Sequence, residues 1–97
     1  MDIEYWRKRI DELDEQLVEL LNERAKAALA IGHVKRGMKT PIYDPEREQQ
    51  VLEHVISRSD GPLSDAAIRR LFERIIDENR RLERERVGEE TQKRDGD

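Results

Sequence analysis

Cysteine is absent from this 97-residue chain. That excludes a disulfide framework and any thiolate metal site. His33 and His54 are the only histidines, too few to build a zinc site alone. Aromatic residues make up 4% of the chain and hydrophobic residues 35%, too little for a thick core within one chain. No apolar run approaches the roughly 20 residues that span a bilayer, and no signal-peptide core follows Met1. A cytoplasmic protein that does not enter membranes is therefore expected. Positive charge is not in excess either, since 19 basic residues face 23 acidic ones. The net charge of -4 argues against a nucleic-acid partner, which usually meets a basic face. Proline is scarce, with three in the chain, at positions 41, 45 and 62.

What is there is charge, 43% of all residues, wrapped around apolar positions at helical spacing. Residues 3–36 contain no proline, and Gly32 is their one weak point. A helix of that length would be ~50 Å long. A single domain of this size has a radius of gyration of only about 13 Å. Asp44 before Pro45 starts a second helix, about residues 45–58, with Asp as the cap and Glu46 near the positive end of the dipole. Ser64 caps a third, about 65–86, whose apolar face is Ile68, Leu71, Phe72, Ile75, Ile76 and Leu82. The reading is one all-α domain over residues 1–87 and a disordered tail over 88–97. So long a first helix cannot bury its stripe within one chain. Two chains are expected to intertwine as a symmetric homodimer.

The stripe itself contains a misfit. Ile3, Trp6, Ile10, Leu13, Leu17 and Leu20 step by three and four, and the next member is Arg24, before Ala27, Ile31 and Val34 resume. Lys35 lies eleven residues after Arg24 and so projects within ~20° of the same direction. The second helix also turns polar on its apolar side, at Arg47 and Glu48, and the third does so at Asn79 and Glu83. Each has an ordinary explanation: a snorkelling or register-setting arginine, a capped first turn, a frayed end. Their coincidence on three helices points elsewhere. Buried cations need anions. Those faces carry too few carboxylates, and a small polyanionic ligand would supply them.

The ordered set R-x-x-I-D-x-L-D, L-L-x-x-R, G-x-x-K, D-P-x-R-E and a closing polar pair spans about residues 3–84. In that order and spacing it resembles the all-α chorismate mutases, intertwined dimers of three-helix chains. The resemblance implies a Claisen rearrangement of chorismate, a dicarboxylate, to prephenate in aromatic amino-acid biosynthesis, with no cofactor or metal. An enzyme for that reaction must hold the enolpyruvyl side chain over the ring and stabilise charge on the breaking ether oxygen. By resemblance, Arg24 would grip one carboxylate, and Arg7 would reach across the interface to grip one in the partner's site. Lys35 would donate to the ether oxygen. Arg47 would lie near the enolpyruvyl group. Asp44 and Glu48 would accept from the ring hydroxyl, Glu48 the better candidate, and Asn79 and Glu83 would close the site.

Two positions depart from many relatives: Asn79 stands where a small hydroxyl residue is common, and Glu83 where glutamine is. Glutamate donates a hydrogen bond only when protonated, so activity rising toward acid is expected. Isochorismate pyruvate-lyase and aminodeoxychorismate mutase activities are alternatives on the same fold, and a non-catalytic helical dimer is another. No fused dehydratase, dehydrogenase or synthase and no effector domain are expected.

Overall fold

The computed structural model describes residues 1–95, with side chains described through Val87. The chain is three helices: α1 (Ile3–Gly37), α2 (Pro45–Arg58) and α3 (Asp65–Asp95). The all-α reading holds, and the first two helices have the expected bounds to within a residue. The third starts where expected but continues past residue 86 to Asp95. The expectation of a disordered tail over 88–97 lies outside the residues whose side chains are described.

Local chemistry sets the ends. Asp2 caps α1, accepting from the Tyr5 amide at 3.0 Å. Asp44 caps α2 by accepting from the Arg47 amide at 3.1 Å, with Pro45 in the first turn. Ser64 caps α3, its hydroxyl accepting from the Ala67 amide at 3.1 Å. Each cap satisfies an amide that the helix itself cannot. The end of α1 is less orthodox. Gly37 is still helical, and Lys39 takes the left-handed turn at φ 57°. The Thr40 amide donates to the Lys35 carbonyl at 2.8 Å and the Lys39 amide donates to the Arg36 carbonyl at 3.1 Å. That pair of bonds is a Schellman closure. It turns the chain so that Lys35 Nζ donates to the carbonyl of Ile42 at 3.4 Å.

α3 lies between the other two helices and packs against both. The result is a slab 62 × 27 × 15 Å with a radius of gyration of 17.2 Å, longer and thinner than a globular domain of this length. Leu52 and Val87 are the buried hydrophobic residues of the described chain. The α1 stripe stays open: Trp6 is 54% exposed and Leu20 61%, and Ile10, Leu17 and Val34 are exposed with them. One chain alone leaves this face in water, at a cost of about 25 cal/mol for each Å². No described helix is long and apolar enough to cross a membrane.

Gly32 sets the spacing of two helices. It is buried where α1 meets α3. A Cβ there would stand 3.3 Å from Glu83 Oε2 and 3.4 Å from Val87 Cγ2. The missing side chain lets α3 approach and lays the Glu83 carboxyl against the α1 backbone.

Candidate active site

The polar residues that interrupt the three apolar faces meet in one cleft of about 300 Å³. α1 contributes Arg24 and Lys35, the start of α2 contributes Asp44, Arg47 and Glu48, and α3 contributes Asn79 and Glu83. Helical period explains the α1 pair, three turns apart on one side. Ala27, Ala28 and Ile31 floor the cleft between them. Small residues at 27 and 28 keep that floor low.

Arg24 Nη1 donates to Asn79 Oδ1, so the half-buried guanidinium has a neutral partner there. With Oδ1 taken, Asn79 has its amide hydrogens to offer a ligand. Burial pulls the Arg24 pKa below its ordinary value, and the charge of Arg47 adds to that, while Glu83 opposes it. A cation held under those conditions favours an incoming anion. Glu83 is displaced the other way. Burial pushes its carboxyl above the ordinary glutamate value, against the pull of Lys35, Arg24 and Arg80. Burial wins over three cations, which tips the group toward its neutral, donating form.

Four cations line the cleft, Arg24, Lys35, Arg47 and Arg80, against three carboxylates, Asp44, Glu48 and Glu83. With all ionised, one positive charge remains. With Glu83 protonated, two remain, which matches a dianionic ligand. Among the described residues no cluster of His, Asp or Glu could hold a metal ion.

The sequence-predicted residues divide into three groups. Arg24, Lys35, Arg47, Glu48, Asn79 and Glu83 come together in the cleft. Asp44 lines it too but spends one oxygen on the α2 cap. Arg7 is not brought there by its own chain: it sits on the exposed start of α1, paired with Glu4 at 3.0 Å. It lies seventeen residues before Arg24, about 26 Å along the helix. One residue was missed. Arg80 lines the cleft and pairs with Glu48 at 2.5 Å. The signal existed, since Ile76, Asn79, Arg80 and Glu83 fall at i, i+3, i+4 and i+7 on one face of α3.

The family model for chorismate mutase type II matches residues 6–84, a span that includes every one of these positions. The chain belongs to that family. It is 32% identical to a chorismate mutase of Methanocaldococcus jannaschii over 87 residues, 89% of this chain and 87% of that one. It is 43% identical over 75 residues to a bifunctional chorismate mutase/prephenate dehydratase of Pseudomonas aeruginosa, 72% of this chain. The match spans 20% of that relative, about a fifth of its length. In structure it is similar to the chorismate mutase of Helicobacter pylori solved in complex with prephenate. The TM-score is 0.83 at 30% identity, covering 90% of this chain and 94% of that one.

Within this chorismate mutase fold, Gly32 gives a first testable consequence. Gly32→Ala should gain up to about 1 kcal/mol of helix propensity. Its methyl group would meet the Glu83 carboxyl at 3.3 Å and Val87 at 3.4 Å. The carboxyl is the movable partner and should shift by a few tenths of an ångström. We expect a thermal midpoint no lower than that of the unaltered chain and, on the expectation that the cleft turns over chorismate, a several-fold slower rate. A variant less stable but equally fast would show that the close approach serves packing alone.

Proposed function

We propose that this chain converts chorismate to prephenate by a Claisen rearrangement in aromatic amino-acid biosynthesis, acting in the cytoplasm. One observation carries the reading. A half-buried arginine with a neutral partner faces a carboxyl group that burial tips toward its protonated form. A dicarboxylate with an ether oxygen needs both: cationic forks for its carboxylates and a donor for the oxygen. The naming of its relatives, and prephenate in one of them, supports the same substrate.

The rearrangement is unimolecular. The protein's task is to hold the enolpyruvyl ether over the ring and to meet the charge that grows on the breaking C–O bond. Arg24 takes one carboxylate through its fork, with Asn79 donating beside it. Lys35 and protonated Glu83 both donate to the ether oxygen. Arg47 lies against the enolpyruvyl carboxylate. Glu48 accepts from the ring hydroxyl, with Asp44 behind it.

The functional unit is a homodimer. The α1 stripe from Ile3 to Leu20 is exposed in the single chain, and only a partner of matching apolar shape can cover it. In that dimer a second copy would bring its Arg7 to the cleft at the distant end of the first copy's α1. Steady-state rates on chorismate, isochorismate and aminodeoxychorismate, with products identified, test the substrate. The mutase reading requires chorismate to be fastest and prephenate to be its product. Pyruvate released from isochorismate at a higher rate would replace it with the lyase reading.

A further inference from the structure

Arg80 has no assigned contact with the substrate in the proposed rearrangement, yet two carboxylates and an aromatic ring hold it in the cleft. Its Nη1 donates to Glu48 Oε1 at 2.5 Å and its Nη2 donates to Asp77 Oδ1 at 2.9 Å. Its guanidinium carbon lies 5.0 Å from the centre of the Tyr43 ring, within cation–π range. One side chain on α3 therefore ties together the α1–α2 connection, the first turn of α2 and α3 itself. The setting differs from the other described ion pairs. The Arg80 and Glu48 side chains are 23% and 28% exposed, whereas the Arg7–Glu4 pair lies in open water. Exposed pairs contribute little, and partly desolvated, doubly braced ones are stiffer.

Glu48 needs such a brace. It sits in the first turn of α2 with three rotatable bonds, facing Arg24 and Lys35 from α1 and Arg47 beside it. Left to itself, the carboxylate would have several cations to choose among. The grip of Arg80 takes one oxygen and leaves the other to accept. Asp77 holds the far side of the guanidinium, so the fork cannot swing away.

We propose that Arg80 is a positioning residue: by pinning one oxygen of Glu48 it sets the other to accept a hydrogen bond from the ring hydroxyl of the substrate. It reaches the ring hydroxyl only through Glu48, while its charge also bears on Glu83. The proposal rests on the mutase reading and deepens it, by assigning the orientation of the hydroxyl acceptor to a residue of α3.

The test is a double-mutant cycle on chorismate turnover, using the full chain. Rates are measured for the unaltered protein, Arg80→Met, Glu48→Gln and the double variant, with Arg80→Lys as the conservative control. All are compared at the acid plateau of the pH profile, where Glu83 is protonated throughout. Arg80→Met should lower kcat/KM by roughly 10- to 100-fold. In the Glu48→Gln background the same change should cost less than about threefold, because the residue it acts through is already altered. Arg80→Lys should recover part of the loss, since it restores the charge without the fork. Equal losses in both backgrounds would overturn the proposal and make Arg80 a direct substrate contact. Lower thermal stability with unchanged kcat/KM would also overturn it, leaving a tie between α2 and α3. Should Arg80→Met fail to fold, Arg80→Lys with Glu48→Gln closes the same cycle. Absence of turnover in the unaltered protein is a separate failure, that of the mutase reading, and it is seen before any variant is made.

Discussion

Replacing Arg24 by leucine should abolish turnover and make the protein more stable. The two effects have one origin. Position 24 continues the stripe of Leu13, Leu17 and Leu20, and an apolar residue there completes it. Removing the guanidinium also removes a charge that burial disfavours, as the lowered pKa of Arg24 records. Asn79 loses the donor to its Oδ1 but stays half-buried and within reach of water. For catalysis the loss is large. Two charge-assisted hydrogen bonds at about 1.5–3 kcal/mol each amount to roughly 10²- to 10⁴-fold in kcat/KM. Arg24→Lys should not rescue, because one ammonium cannot span both oxygens of a carboxylate. Urea unfolding and steady-state kinetics on the same preparations check both halves. A destabilised Arg24→Leu would mean that the arginine holds the fold together. A stable and active one would mean that the cleft binds its ligand elsewhere.

The second large effect is in the pH profile. Burial holds the Glu83 pKa above the ordinary glutamate value, and Lys35, Arg24 and Arg80 set how far. Asp44, Arg47 and Glu48 face it across the cleft from α2. A raised pKa means that the donating, protonated form dominates at low pH and is lost as pH rises through the folded-state value. Turnover should therefore fall toward alkaline pH, by up to about tenfold for each unit beyond that value. Glu83→Gln donates at every pH, so its profile from about pH 5 to 8 should be flat and lie above the unaltered enzyme at the alkaline end. A bound dicarboxylate neutralises the cations that pull the pKa down. The limb in kcat, which reports the complex, should thus lie at higher pH than the limb in kcat/KM, which reports the free enzyme. Stability follows the same sign. The contribution of Glu83 is intact below the ordinary glutamate range and is lost as pH rises through the raised value. The effect on stability is small, because the carboxyl keeps contact with water. A rate that is level from about pH 5 to 8 in the unaltered protein would assign the ether oxygen to Lys35 alone.

Much of the fold and the cleft was legible in the residues, for identifiable reasons. Helix boundaries follow from caps that act over three residues, at Asp44 and Ser64, and the apolar spacing acts over a turn. Arg24, Lys35, Arg47 and Glu83 stood out because each breaks an apolar face that is otherwise regular. Arg80 did not, because α3 is dense in arginine and glutamate and one more charge broke no visible pattern. Its partner Glu48 is 32 residues away, and the partner of Arg24 is 55 away. Pairings that distant come from how helices pack, which no local period encodes. Gly32 read as a weak point in a helix, and only the approach of α3 shows what its missing side chain admits. Gly37 stays helical and Lys39 makes the turn that ends α1, since its backbone hydrogen bonds outweigh the left-handed penalty of about 1–2 kcal/mol. The place proposed for Arg7 lies in the cleft of a second chain, which the single chain does not show.

Refolding two inactive variants together tests the central claim, a cleft of one chain completed by Arg7 of the other. Arg7→Ala and Arg24→Leu should each be inactive alone. In a mixed dimer one cleft would carry both changes and the other neither. Random pairing makes about half of all dimers mixed, so an equal mixture should recover about a quarter of the unaltered activity. Activity that stays at the level of the separate variants would contradict the shared site and return Arg7 to the surface of its own chain.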